Sequence, residues 1–187
     1  LGGVSLLNGG IASLNLTQSR VSGNISTSDG GMVKPKPEII ELDASLEVAS
    51  PAILGGGGVN FFTTNGGDTS ATMSRNRVEG NGGVYGGGVL FISQGSKTRA
   101  ELTNNLIADN NTVLNGGGVA IWPMIRGTIG DDTEVDLINN TIAGNTASTA
   151  ASRGGGLFVS SLNPANSAWV FMDNCILWGN TASSDGD

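Results

Sequence analysis

Leu102-Thr103-Asn104-Asn105-Leu106-Ile107-Ala108-Asp109-Asn110, followed by Gly116-Gly117-Gly118-Val119-Ala120-Ile121, is one full statement of a pair of phrases that recurs along the chain. The glycine phrase also occurs as Gly56-Gly57-Gly58-Val59-Asn60-Phe61, Gly86-Gly87-Gly88-Val89-Leu90-Phe91 and Gly154-Gly155-Gly156-Leu157-Phe158-Val159. A worn copy, Gly2-Gly3-Val4-Ser5-Leu6, opens the chain. The nine-residue phrase has further copies at Leu16 to Asn24, Met73 to Asn81, Leu137 to Asn145 and Met172 to Asn180. Its first position is Leu or Met, its sixth is Val21, Val78, Ile107, Ile142 or Leu177, and its ninth is always asparagine. The fourth position holds Ser19, Asn76, Asn105, Asn140 and Cys175.

Two phrases interlocked at one period mean one structural unit per period. The apolar positions within a unit alternate, as in strands that bury one face. Val89–Ile92, Arg99–Leu102 and Leu106–Ala108 carry this signal in one unit, predicting three short strands per turn. Strands stacked at such a repeat predict an all-β chain, a right-handed parallel β-helix of about five coils, with the hand following the usual crossover preference. A leucine-rich repeat lacks support because its L-x-x-L-x-L-x-x-N pattern and helical half are missing. A propeller blade needs about 40–45 residues and four strands.

Equivalent residues then stack from coil to coil about 4.8 Å apart. Four interior ladders are expected: Val4, Val59, Val89, Val119, Leu157; Leu6, Phe61, Phe91, Ile121, Val159; Leu14, Ala71, Ala100, Val135, Val170; and Leu16, Met73, Leu102, Leu137, Met172. The glycine triplets suit a sharp corner with close backbone approach. Asn24, Asn81, Asn110, Asn145 and Asn180 are expected to form a structural ladder, each sitting in the left-handed region and bonding its neighbours along the stack. Cys175 occupies the asparagine slot of another ladder and is expected to be a small buried thiol.

Composition agrees. The chain has 187 residues, 31 of them glycine, and no histidine; charged residues make up 13%. The net charge of -7 argues against nucleic acid, which needs a basic stripe. No apolar run is long enough for a membrane-spanning helix. Without histidine, neither a His/Cys zinc site nor a Ser-His-Asp triad can form, and one cysteine makes no internal disulfide. Residues 1–187 are read as one domain. An insertion at about 25–54, Ile25 to Leu54, carries the polyproline-like Lys34-Pro35-Lys36-Pro37 and is expected to cap or cover the body. The chain opens at Leu1 without methionine or leader, which suggests a mature or excised piece.

Asn140-Thr141-Ile142-Ala143-Gly144-Asn145-Thr146-Ala147, Gly154-Gly155-Gly156-Leu157 and Ile176-Leu177-Trp178-Gly179-Asn180-Thr181-Ala182 resemble the right-handed parallel β-helix repeats of bacterial exported surface proteins, within the pectate-lyase-like superfamily and its choice-of-anchor and polymorphic-outer-membrane-type members. The resemblance covers most of the chain outside the insertion. It implies an extracellular or cell-surface location in a bacterium or archaeon. It leaves function open, because that fold hosts lyases, hydrolases, adhesins and tailspikes.

Lyases of that superfamily combine calcium-binding carboxylates with an Arg or Lys base, which makes the outward acids the candidates for such chemistry. Glu101 and Asp136 fall at matching positions in adjacent coils, and Arg99 and Glu134 form a second such pair. Asp131, Asp132, Glu134 and Asp136 are the densest acidic run and the candidate Ca²⁺ ligands. A solvated loop with an Arg99–Glu134 ion pair is the favoured reading of the same residues. No catalytic residue is assigned and no cofactor other than Ca²⁺ is suggested. The outward row Phe62, Ile92 and Trp122, with Leu90, Ala120 and Phe158 beside it, forms an apolar stripe on a face expected to be polar. Trp169 and Phe171 add an aromatic pair, with Trp178 nearby. Such stripes mark interfaces. Three explanations stand: cover by the insertion, contact with another subunit, or an aromatic platform for sugar rings. The expected role is therefore structural or adhesive, in a surface or extracellular assembly, with self-association or another surface protein as partner. A carbohydrate-active β-helix that acts on or binds polysaccharide is the alternative.

Overall fold

The computed structural model describes residues 4–8, 12–23, 56–64, 68–94, 97–123, 132–161 and 166–183. The insertion expected at 25–54 lies wholly outside them, as do Asn24 and Asp131. Among the described residues every regular element is a strand, and the strands stack in four parallel sheets. The first sheet takes Val4–Asn8, Val59–Thr64, Val89–Gln94, Val119–Pro123 and Leu157–Val159 in that spatial order. The second takes Ala12–Thr17, Asp68–Ser74, Lys97–Thr103, Asp132–Ile138 and Ser167–Asp173. The third takes Arg20–Ser22, Arg77–Glu79, Leu106–Ala108, Thr141–Ala143 and Ile176–Trp178. Each strand pairs with its counterpart one repeat away, so chain order and spatial order coincide in all these sheets.

The repeat predicts three strands per unit, and the structure has a fourth. Gly82–Gly83, Asn111–Thr112, Thr146–Ala147 and Thr181–Ala182 form a fourth parallel sheet. At two residues each, these strands are too short to show a period-two pattern.

The register matches the four expected ladders. Val59 pairs with Val4 and Val89, and Val119 with Val89 and Leu157. Ala71, Ala100, Val135 and Val170 are likewise in line, as are Met73, Leu102, Leu137 and Met172. The residues of these ladders in the middle units make up one continuous buried core. Phe61 and Phe91 stack within it with ring centroids 4.6 Å apart and planes 5° from parallel. Stacking identical residues at the strand spacing suits a flat ring.

The corners correct one expectation. The described ladder asparagines do not take the left-handed conformation; the residue before each of them does. Gln18, Arg75, Asn104, Asn139 and Asn174 precede the fourth position of the nine-residue phrase and have φ between 51° and 59°. Gly23, Gly80, Gly144 and Gly179 precede the ninth position with φ between 62° and 67°, and Asp109 stands in that column at 54°. The left-handed residue makes the bend, and the next residue, in ordinary backbone, turns its side chain inward. Glycine dominates the second corner because it adopts positive φ without a Cβ penalty.

Inside, the asparagine amides replace backbone partners that the corner removes. Asn110 donates from Nδ2 to the Val78 carbonyl at 2.9 Å and to Asn145 Oδ1 at 3.0 Å. Its own Oδ1 accepts from the Asn81 backbone N–H and from Asn81 Nδ2, at 3.0 and 2.9 Å. Asn145 repeats the pattern onto Asn180. A second ladder runs through Asn76, Asn105 and Asn140 in the same sense. Asn76, Asn81, Asn105, Asn110, Asn140 and Asn145 are all buried. Burying an amide is tolerated only when its donors and acceptors are satisfied, and here each unit satisfies its neighbour.

Cys175 interrupts the second ladder. Its Sγ accepts from the Asn140 N–H at 3.4 Å and donates to the Leu137 carbonyl at 3.2 Å. It is half-buried. The Asn140 amide still donates to the Leu102 carbonyl, but it has no Asn Oδ1 in the next unit, as Asn76 and Asn105 have. Cys175→Asn is expected to complete the ladder and to stabilise the chain by about 1 kcal/mol, the usual net worth of a hydrogen bond. A denaturant titration should show the midpoint rise with an unchanged slope.

Candidate functional site

Three regions of the surface bear the residues singled out in the sequence. The first is the outward face of the second sheet. Asp136 pairs in register with Glu101, and Glu134 with Arg99. Arg99 Nη2 and Glu134 Oε1 lie 3.0 Å apart, so the acid that was a candidate Ca²⁺ ligand is engaged in an ion pair across units. Both side chains are substantially exposed, and such pairs contribute little to stability. Glu101 accepts from the Thr103 hydroxyl. Asp132, Glu134 and Asp136 alternate along one strand, which spaces them about 6.6 Å apart. Among the described residues no three His, Cys, Asp or Glu side chains come together closely enough to hold a metal ion. A further exposed cluster joins Arg20 and Arg77 to Glu79. The hydrogen bond from Arg77, aided by the charge of Arg20, holds the Glu79 carboxyl below the usual carboxylate range.

The second surface is the outer face of the first sheet. Ile92 pairs with Phe62 and Trp122, and Leu90 with Asn60 and Ala120. Although these residues face away from the main core, Leu90 is 2% and Ile92 1% exposed. They form a small second core with Ala120, against which Tyr85 and Phe158 pack. The sheet therefore buries apolar residues on both faces. Phe62 belongs to its strand by register, and its side chain lies outside the described set. Trp122 and Phe158 are partly buried.

Beside this outer core lies a groove of about 630 Å³, lined by Tyr85, Asn115, Trp122, Arg153, Leu157 and Phe158 among others. Tyr85 and Trp122 meet at 4.6 Å between centroids with their planes 47° apart. Burial pushes the Tyr85 phenol up from its ordinary value, so it is a neutral hydroxyl at physiological pH. Sequence reasoning missed Tyr85, Asn115 and Arg153. Each immediately precedes a glycine triplet, at Gly86, Gly116 and Gly154. Those glycines have φ of 56°, 73° and 62°. Backbone bonds from Gly86 N to Asn115 O and from Gly116 N to Arg153 O put the three residues in one column. Asn115 Oδ1 accepts from the Arg153 backbone N–H at 2.8 Å, fixing the turn that carries the guanidinium. The position before the glycine triplet was the available signal, but its residues share no type.

The third surface is the edge of the last described unit. Trp178 is 77%, Trp169 59% and Phe171 56% exposed there, with Ile176, Leu177 and Met172 also open. Leu177 and Met172 continue interior ladders, in register with Ile142 and Leu137. Asn180 donates from Nδ2 to the Ile142 carbonyl, and it accepts from Asn145.

Comparison with protein-family models, with curated proteins and with solved structures finds no match to this chain.

Proposed function

We propose that this chain is a right-handed parallel β-helix with a structural or adhesive role at a cell surface or in an extracellular assembly, and that it self-associates there. The parallel stacking of every sheet in chain order supports the coil. The observation that carries the structural role is the body itself: apolar residues stack in register into one continuous buried core, and buried asparagines bond from unit to unit.

Each asparagine uses its backbone N–H and Nδ2 to donate toward the following unit, while its Oδ1 accepts from the preceding one, so the stack of units has a direction.

Sedimentation velocity over a wide concentration range tests the self-association directly. The unmodified chain is expected to gain mass with concentration. A chain that stays monomeric throughout refutes the association. Of the acids of the second sheet, Glu134 is held in an ion pair with Arg99, which supports the structural reading of that pair.

A further inference from the structure

Two short rows of like charge stand on the outside of the stack. Arg20 and Arg77 are partners in register on adjacent strands of the third sheet. Glu101 and Asp136 are partners in register on adjacent strands of the second. Each row alternates with buried residues, Val21 and Val78 beside the arginines and Leu102 and Leu137 beside the acids, so both rows face outward. Partners on neighbouring strands lie about 4.8 Å apart, and like charges opposed there weaken a sheet. An interior position repeats its residue because every unit needs it, but no such demand acts on an outward one. These oppositions therefore serve nothing within the chain. Glu79 relieves the arginine row in part, with its carboxylate oxygens 3.0 Å from Arg20 Nε and 2.8 Å from Arg77 Nη2. Arg75, at the corner two residues before Arg77, is exposed and makes no ion pair among the described residues. Three arginines thus stand with one glutamate in a chain whose net charge is -7. In the other row Glu101 accepts only from the Thr103 hydroxyl, and Arg99, two residues before it, is engaged by Glu134. Neither Glu101 nor Asp136 is in an ion pair among the described residues.

We infer that the two rows are the halves of a lateral contact between copies of this chain, with Arg20 and Arg77 of one copy set against Glu101 and Asp136 of another. The contact presupposes the self-association proposed for the chain and gives it a surface. Both rows take their spacing from the same strand-to-strand repeat, so the charges of one copy meet those of the other one for one. Docking places a counter-ion beside each opposed pair and relieves the repulsion in both rows at once. Guanidinium and carboxylate meet through paired N–H donors, which fixes orientation as well as charge. A free anion would satisfy the arginine row alone, whereas an acid row of the same period singles out a second copy. Both rows are on outward faces, so docking leaves the buried core and the asparagine ladders as they are. Exposed ion pairs are individually weak in water. Rows of matched spacing contribute encounter rate and register more than raw affinity, so the contact is a salt-sensitive one.

Sedimentation velocity of the full chain and of two charge-reversed variants, alone and mixed, tests the contact. The parent is expected to associate at about 0.02 M salt and to lose most of that association at about 0.5 M. One variant carries Arg20→Glu with Arg77→Glu, and the other Glu101→Lys with Asp136→Lys. Each alone presents rows of one sign and is expected to stay monomeric, while an equal mixture of the two is expected to associate. A neutral variant, Glu101→Gln with Asp136→Asn, removes the repulsion within its row. It is expected to unfold at no lower urea concentration than the parent and yet to associate about tenfold or more weakly, a pairing of effects that a purely structural role does not produce. Association of the parent that is indifferent to salt, a reversed variant that associates alone as the parent does, or a mixture of folded variants that stays monomeric overturns this contact and leaves self-association standing. A parent that is monomeric at every salt concentration refutes the self-association itself, and the contact with it.

Discussion

Asn110→Ala is expected to destabilise the chain by about 3–6 kcal/mol, more than truncation of most exposed residues by an order of magnitude. The side chain makes two donated and two accepted hydrogen bonds with neighbouring units, all at 2.9 to 3.0 Å. Truncation removes them together. The Val78 carbonyl and the Asn81 N–H are left without these partners in a dry interior, and each buried orphan costs about 1–3 kcal/mol. Alanine also leaves a void where the amide stood. Asn111, the next residue, has an exposed side chain, and Asn111→Ala is expected to change stability by less than about 0.5 kcal/mol. Urea unfolding of the two variants side by side gives the comparison. Since small domains are stable by only about 5–15 kcal/mol, the Asn110 variant is expected to be largely unfolded at elevated temperature.

Gly87→Ala has the second largest expected effect, and for a different reason. A Cβ at Gly87 would stand 2.5 Å from the backbone oxygens of Gly117 and Asn111. Neither atom belongs to a side chain that can swing away. Two adjacent units must separate locally, which breaks the bonds from Gly87 N to Gly116 O and from Gly88 N to Gly117 O. The expected cost is about 3 kcal/mol or more, at the upper end of overpacking. Gly80 separates the two demands on glycine. Its φ is +65° and nothing lies within 4 Å of a Cβ there, so Gly80→Ala pays for conformation alone. That substitution is expected to cost about 1–2 kcal/mol. Thermal unfolding of both variants should place Gly87→Ala well below Gly80→Ala.

These two sites also explain what could be read from the residues before the structure. The ladders were legible because an interior position sees the same environment in every unit and so holds the same kind of residue: Val59, Val89 and Val119, or Met73, Leu102 and Leu137. The Arg99–Glu134 pair followed from register alone. The fourth strand was invisible because Gly82–Gly83 and Asn111–Thr112 share neither pattern nor residue type. The left-handed corner was assigned one residue late. Asparagine is conspicuous at the ladder position, while the bend is carried by residues as different as Gln18, Arg75 and Asn139.

The candidate sites were legible only in part. Alternation places Leu90 and Ile92 on the outer face of the first sheet but says nothing of what lies above that face. Their burial there needed the three-dimensional arrangement. Tyr85, Asn115 and Arg153 gather because they occupy the same corner of successive units, where the fold constrains position and leaves residue type free. That freedom is what lets one column of a repetitive body carry ring, amide and guanidinium in turn.

The account rests on interior asparagine ladders that hold successive units together, and side-chain amide hydrogen exchange measures these most directly. The Nδ2 protons of Asn81, Asn105 and Asn110 bond to carbonyls and to the next asparagine within the buried core. They are expected to exchange as slowly as the core backbone amides of the neighbouring strands, while those of exposed Asn111 exchange at the rate of a free amide. Ladder amides that exchange as fast as Asn111 would contradict the stacked arrangement on which every other claim depends.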